Sequence, residues 1–472
     1  MNEVRKPRQL SPEASVAAAQ ARRDRERLAA AQAEILDLRA RLAVAAPVGV
    51  KAALNRSLRA RVGRLESTPL RPVLAAARRL AQARRPTAPA GAMREIAAST
   101  PAAATRGRAL IIDDHWPQPD RDSGSVDICN LAEALMALGF DVVLAAARDL
   151  HGEQPARDAL SARGITCLMP ADATTIDDFI VSQGNIFDLC VLCRVFCGGQ
   201  YLEAVLAHCI KARIVFNSID LNFLREERKA RLLGDSGLLK IAQDIRPREE
   251  FVIRHSDVTI VVSETERALL AATLPDCLAV TLPLARPLMA GRADFKARHG
   301  IGFIGGFAHA PNVDAVRYFL KDIWPLIRAS LPDCELSIVG ADAPANLLEG
   351  EPAGVTLRGH VPDVGPWFES LRLTVAPLRF GAGAKGKVAS SLAAGVPCVA
   401  TDIAAEGMAL SPDQGVLTAS DAAGFAAAVI QLHGDPALWK RLAVGAISHA
   451  SDALSTTKWR DELDLMLTRI GI

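Results

Sequence analysis

The chain has 472 residues, room for about three domains at roughly 150 residues each. Hydrophobic residues make up 50% and charged residues 23%, which excludes a disordered, collagenous or disulfide-stapled protein, and with aromatics at only 4% the cores must be built from Ala, Val, Leu and Ile. The 55 basic and 53 acidic residues leave a net charge of +2, which argues against a general nucleic-acid binder unless the charge is segregated along the chain.

The opening MNEVRKPRQLSPEAS lacks the apolar core of a secretory signal. No run of about 18 apolar residues is free of charge, so no transmembrane helix is expected. Most of the nine cysteines, such as Cys167, Cys190 and Cys398, lie in apolar runs where a thiol behaves as a small hydrophobe. The expected compartment is a reducing cytoplasm, with peripheral contact at the inner face of the cell membrane.

Residues 1–107 read as a helical arm. In 12–45, Ala21, Leu28, Ile35 and Leu42 fall seven apart, with Ala31, Leu38 and Ala45 between them. This a/d seam predicts a homo-oligomer through a short coiled coil, with Asp24 its weak point. The alternative is a single amphipathic helix docked on the body. From Lys51 to Arg85 ten basic residues face one acidic residue, Glu66, beside Val50, Leu54, Leu58, Val62 and Leu65 at helical spacing. Such cationic amphipathic helices over 50–85 suit an anionic membrane surface, and the alternative is a solvated or partner-binding face. The stretch has no aromatic stacking groups, so no nucleic acid is expected as a partner. Residues 86–107 are rich in Pro, Ala, Ser and Thr and read as a linker.

From Arg108 short β-branched runs alternate with helical stretches. ALIIDD (109–114), DVVLAA (141–146), ITCLM (165–169), DLCVLC (188–193), RIVFNSID (213–220) and DVTIVVS (257–263) form one series, with a helix near 125–138. A Pro-rich connection follows around 282–292. The second series is IGFIGGF (301–307), ELSIVGA (335–341), VTLRG (355–359), LTVAPL (373–378), PCVATD (397–402) and GVLTAS (415–420), with helices near 312–320, 386–394 and 421–432. Continuous apolar strands separated by helices specify parallel sheets covered on both faces. The fold class is α/β, with two Rossmann-like domains at 108–285 and 286–472, the latter ending in helices, facing across a cleft that is the default ligand site.

The segment LTVAPLRFGAGAKGKVASSLAAGVPCVATDIAAEGM (373–408) reads as strand, Gly-rich loop, helix, strand and loop. Gly381 and Gly383 let backbone amides approach a ligand. The helix start near Ala384–Gly386 offers free amides and a positive dipole end, and Arg379, Lys385 and Lys387 add charge, an arrangement suited to a diphosphate.

The order PLRFGAGAKGK, AAGVPCVAT and AAEGM resembles the donor half of glycosyltransferase family 4. GFIGGFAHAPNVDAVRYFLKDIWP is similar to the opening of that half. RALIIDDHWPQPDRDSGS and FNSIDLNFLREER resemble acceptor-half segments of the polysaccharide-assembling members. The resemblance covers about 108–450 and implies a GT-B fold and transfer from a nucleotide sugar with retention of configuration. The acceptor it implies is a saccharide or lipid-linked saccharide in cell-envelope polysaccharide synthesis. The nucleotide sugar is then a co-substrate; no further cofactor and no metal are expected.

By this resemblance Gly383, Ala384, Lys385 and Lys387, with Gly381 and Arg379, hold the donor diphosphate. Gly305 and Gly306 let the donor approach the first strand of that half, and Gly124 marks the acceptor-half turn beside the phosphates. Ser123 and Ser125 are alternatively helix caps. Many relatives carry two glutamates, and here Ala382 and Ser390 occupy those positions. A matched Arg/Lys pair after the first donor-half strand is also missing, where His309 and Asn312 stand instead. Glu406 is the candidate substitute carboxylate.

Asp114, His115 and Asp220 end acceptor-half strands and are the candidate catalytic residues, with Asp113, Asn222, Arg225 and Arg194, which ends DLCVLC, as further strand-end candidates to orient a sugar hydroxyl or, alternatively, ordinary caps and surface residues. His360 and Glu264 read as structural. Cys190, Cys193 and Cys197 have C-x2-C-x3-C spacing, but in an extended strand Cys190 and Cys193 point to opposite faces, against a metal site. The missing glutamates leave a second reading open, a non-catalytic GT-B scaffold assembled through the coiled-coil arm. A sugar-nucleotide epimerase on the same fold would demand acid/base residues that the sequence does not offer.

Overall fold

A computed structural model of the chain describes residues 106–150, 152, 154–169, 172–173, 175–289, 293–408 and 410–472. The expected coiled coil at 12–45, the basic helices at 50–85 and all of the 86–107 linker except Arg106 and Gly107 lie outside the described residues.

The first series runs β1 (Gly107–Asp113), α1 (Ser123–Ala137), β2 (Phe140–Ala146), α2 (Gln154–Ala162), β3 (Thr166–Cys167) and α3 (Ile176–Gln183). It continues through β4 (Leu189–Cys193), α4 (Leu202–His208), β5 (Arg213–Asn217), α5 (Asn222–Leu233) and α6 (Ser236–Arg254). It closes with β6 (Val258–Val261), α7 (Glu264–Thr273) and β7 (Ala279–Thr281). The second series opens with β8 (His299–Ile304), α8 (Ala310–Tyr318), α9 (Trp324–Ser330), β9 (Leu336–Val339) and β10 (Val355–Gly359). Next come α10 (Gly365–Ser370), β11 (Leu371–Ala376), α11 (Gly386–Ala393), β12 (Cys398–Ala400) and α12 (Asp402–Ala405). The chain ends with β13 (Val416–Thr418), α13 (Ala422–Gly434), α14 (Pro436–Ala453) and α15 (Thr456–Arg469).

Both sheets are parallel throughout. Their orders are β3-β2-β1-β4-β5-β6-β7 and β10-β9-β8-β11-β12-β13, so each contains the doubly wound 3-2-1-4-5-6 arrangement. Every residue of β4 is buried, as expected of a strand covered on both faces. In such sheets ligands bind beyond the carboxyl ends of the strands where the order reverses. Here those points are β1/β4 and β8/β11, and every candidate loop except that of Glu406 and that of Asp220 leaves one of these four strands.

The expected strand at 165–169 shrinks to Thr166–Cys167, an edge strand paired with β2 over two residues. Between β5 and β6 the chain builds a long hairpin of α5 and α6. Gly234, left-handed at φ 64°, ends α5, and the Asp235 carboxylate caps α6 by accepting from the amides of Gly237 at 2.8 Å and Leu238 at 3.0 Å. The last helix, α15, packs on α1 of the first series. Arg106 explains the crossing, since it pairs with Asp464 and donates to the Ile472 carbonyl at 3.1 Å. Leu463, Met466 and Leu467 of α15 are buried there.

Candidate active site

The Gly-rich turn after β11 is anchored from behind. Ser391 of α11 donates to the Val396 carbonyl at 2.8 Å and shares a 2.6 Å bond with the Thr374 hydroxyl of β11, both side chains being buried. Strand and helix are thereby pinned, and the turn between them has a fixed span. Gly383 is left-handed (φ 66°), and a Cβ there would lie 2.8 Å from Val262 and 3.3 Å from the Asp220 Cβ. Gly386, the first residue of α11, lies so close to Ser123 that a Cβ would fall 1.8 Å from its hydroxyl oxygen.

Two helix N-termini therefore meet. α11 begins at Gly386, and α1 begins at Ser123, each presenting the positive end of its dipole, and the amides of Ser123, Gly124, Gly386 and Lys387 take no acceptor among the described residues. The amides of Ala382, Gly383 and Ala384 take no acceptor among the described residues. Arg194 closes the same place: its Nη2 lies 2.6 Å from where a Gly124 Cβ would stand, while its Nε donates to the buried Asp113 carboxylate at 2.9 Å. Gly306 faces the Arg121 carbonyl across the cleft, 3.4 Å from its would-be Cβ.

The cations are disposed differently from the expectation. Lys385 is buried and its ammonium donates to the carbonyls of Ala382, at 2.9 Å, and Gly383 in its own turn. Burial pushes its pKa down to about 8, against the opposing pull of Glu266, Glu406 and Asp220. Lys387 points back into the lobe and donates to Asn312 Oδ1 at 2.6 Å, and Asn312 Nδ2 donates to the Gly306 carbonyl at 2.6 Å. This chain braces the Gly305–Gly306 turn, and burial lowers the Lys387 pKa to about 7. Arg379 is engaged by Asp314 of α8 and lies 5.0 Å over the Tyr318 ring, so its charge is already matched.

On the acceptor side, Asp114 and His115 belong to one ion cluster at the end of β1. His115 Nδ1 lies 3.8 Å from Asp114 and its Nε2 3.5 Å from Asp122, and these carboxylates raise its pKa to about 10. Asp114, also bonded by Arg148 Nε at 2.9 Å and by the Cys197 thiol at 3.2 Å, is lowered to about 2, chiefly by His115. Asp122, rather than Ser123 or Ser125, caps α1, its carboxylate accepting from the Ser125 amide at 2.8 Å and hydroxyl at 2.6 Å. Cys190 and Cys193 are buried within β4.

Asp220 follows Ile219, whose φ of 63° is strained for a β-branched side chain and costs on the order of 1–3 kcal/mol. The kink sets Asp220 at the cleft, where Arg225 grips both carboxylate oxygens at 2.7 Å. Three carboxylate bonds hold the α5 start: Glu266 accepts from the Leu221 amide at 2.9 Å, and Glu249 from Asn222 at 3.0 Å and Phe223 at 2.9 Å. Burial raises Glu249 to about 8 and Glu266 to about 7. His309 stands opposite Asp220; desolvation in the cleft drives its imidazole down to about 4, so it is neutral at pH 7.

The structure thus brings Gly124, Arg194, Asp220, Gly383, Lys385 and Gly386 together, leaves Arg379 and Lys387 to other partners, and places Glu406 on Arg228. Arg228 is the contribution the candidates missed, and Arg194, read from the sequence as a strand-end group for a sugar hydroxyl, stands at the helix junction instead. Arg194, at the end of β4, sits at the strand-order reversal, a position-based signal; nothing in the spacing of LREERKARLL distinguishes Arg228 from its basic neighbours. Glu264 pairs locally with Arg267 at 2.7 Å, whereas His360 reaches across to Asp120 at 2.9 Å.

Residues 298–435 match the family model described as glycosyl transferases group 1. Sucrose-phosphate synthase from Thermosynechococcus elongatus superposes with a TM-score of 0.59 at 14% identity, covering 77% of this chain and 99% of that one. HepE from Anabaena in complex with UDP-glucose gives 0.57 at 11% identity, covering 77% and 100%. A glycosyltransferase from Rickettsia africae gives 0.55 at 11%, covering 78% and 99%. A search of curated proteins found no match. Two doubly wound lobes meeting at their switch points, shared with these structures, define the GT-B architecture. Within it residues 298–435 of the second lobe are the part similar to the group 1 glycosyltransferases.

Proposed function

We propose that the chain transfers a sugar from a nucleoside diphosphate sugar to a saccharide or lipid-linked saccharide, with retention of configuration, in cell-envelope polysaccharide synthesis at the cytoplasmic face of the membrane. The observation that supports this most is the meeting of two helix N-termini at Ser123 and Gly386 beside three unpaired amides and Arg194. Negative charge grows on the departing diphosphate as the sugar takes on oxocarbenium character. Fixed amides and a fixed cation stabilise that charge without reorganising. Asp220, His115 and Asp114 lie on the acceptor side, where they orient hydroxyls. All three are engaged in ion clusters, so the acceptor proton passes to the leaving phosphate oxygen. We assign membrane contact to residues 50–85 and self-association to residues 12–45.

One observation favours a second reading, a non-catalytic scaffold: Ala382 and Ser390 carry no carboxylate, and Glu406 is occupied by Arg228. A thermal-shift panel of UDP-, GDP-, ADP- and dTDP-sugars separates the two. A donor at 100 times its dissociation constant stabilises by about 2.7 kcal/mol. Stabilisation by one base class, followed by slow release of nucleoside diphosphate that Lys385→Ala abolishes, supports transfer. A panel without any shift supports the scaffold. The anomeric proton coupling of the product reads retention directly.

A further inference from the structure

Arg228 leaves the second turn of α5 in the first lobe, and its guanidinium crosses to the second. Nη1 donates to the Gly381 carbonyl at 2.8 Å and to Glu406 Oε2 at 2.5 Å, and Nη2 donates to Glu406 Oε1 at 2.8 Å. The two side chains are only 23% and 22% exposed, so this is a shielded two-pronged pair of the kind a guanidinium makes best. Its foundation is rigid on both sides. The α5 start is held by Glu249 and Glu266, and the Glu406 segment is held where Thr401 donates to the Leu378 carbonyl at 2.5 Å. Gly407, left-handed at φ 79°, packs so closely on Ser263 of the first lobe that a Cβ would lie 2.2 Å from the serine Cβ.

Arg228 also acts on the turn itself. It takes the Gly381 carbonyl, while Lys385 takes those of Ala382 and Gly383. In a trans peptide the carbonyl and the following N–H point in opposite directions. Drawing three successive carbonyls onto cations therefore turns the amides of Ala382, Gly383 and Ala384 away from those cations, which is the arrangement of an anion nest.

We infer that Arg228 is a positioning residue that couples closure of the lobes to formation of the phosphate-binding turn: the turn holds its anion-receptive form only while α5 is docked against Gly381 and Glu406. This rests on the reading of the turn as the diphosphate site. It makes the first lobe a determinant of donor affinity through a residue that need not touch the donor.

Two measurements on the full chain, with Arg228→Lys, Arg228→Gln, Glu406→Gln and the Arg228→Gln/Glu406→Gln double variant, test it. In the protein without nucleotide, exchange of the Val388 and Ala389 amides, which donate to the Lys385 carbonyl at the end of the turn at 2.9 and 3.1 Å, should quicken about tenfold in Arg228→Gln and Glu406→Gln and less in Arg228→Lys, a loss the size of one charged hydrogen bond. The dissociation constant for UDP, or for whichever nucleoside diphosphate binds, should rise by about the same factor, and the double variant should be no worse than the weaker single. With donor saturating, kcat should fall less than kcat/KM. Unchanged exchange in Arg228→Gln, or effects of the two substitutions that multiply, overturns the inference. Quickened exchange in a chain that binds no nucleoside diphosphate overturns the proposed function and leaves the coupling of lobe to turn standing.

Discussion

A methyl group at Gly386 has nowhere to go: it would meet the Ser123 hydroxyl oxygen at 1.8 Å, its Cβ at 2.6 Å and Arg286 Nη2 at 2.9 Å. Rotating the hydroxyl relieves only the first contact, so Gly386→Ala must push the two helix starts apart. We expect a loss of about 1–3 kcal/mol in stability by denaturant titration and a rise of tenfold or more in donor KM. His115 offers a pH test. Its folded pKa of about 10 lies above its ordinary 6.5, so its pairing with Asp114 and Asp122 contributes stability that is complete below pH about 6.5 and lost as pH rises to 10. The stability gap between wild type and His115→Gln should therefore shrink across that window, and a gap that is constant with pH contradicts the pairing. At this scale the sequence was informative about glycines, because a turn that needs a left-handed residue writes Gly. It was uninformative about cations: nothing in the spacing tells Arg379, matched by Asp314, from Arg194, which borders the nest.

The turn and α11 behave as a unit because Thr374 and Ser391 tie strand to helix. Ser391→Ala leaves the buried Thr374 hydroxyl without that partner and should cost about 1–3 kcal/mol, read as a lower melting temperature. Lys385 adds a pH dependence to ligand binding. With its pKa lowered by burial to about 8, the ammonium is present below that pH and lost above it. Titration of UDP should give weaker affinity at pH 9 than at pH 7, with a smaller difference in Lys385→Gln; equal affinities in the wild type contradict the assignment. The strands of both sheets were legible as elements because burial on two faces leaves continuous apolar runs, as in DLCVLC. The α5–α6 hairpin was not, since its apolar residues are spread thinly over long, charged helices, and β7 is a three-residue edge strand.

For the molecule as a whole, the repeat of one topology was visible in the rhythm of strands and helices, but the path of the last helix was not. α15 returns to the first lobe through a pair formed by residues more than three hundred positions apart, Arg106 and Asp464. Contacts of that range leave no local signature. Removing residues 455–472 would expose the sites covered by Leu463, Met466 and Leu467 and cost on the order of 5 kcal/mol, comparable to the stability of a domain. The truncated chain should unfold or aggregate, whereas a fully folded product would mean that α15 is an accessory. The claim on which the functional account stands is that a diphosphate is held where α1 and α11 begin. A crystal structure of the chain with a bound nucleoside diphosphate tests it most directly. The account predicts phosphate oxygens within hydrogen-bond distance of the amides of Gly383 and Ala384 and close to Arg194; phosphates bound elsewhere, with that junction closed by the Ser123 and Gly386 contact, would contradict it.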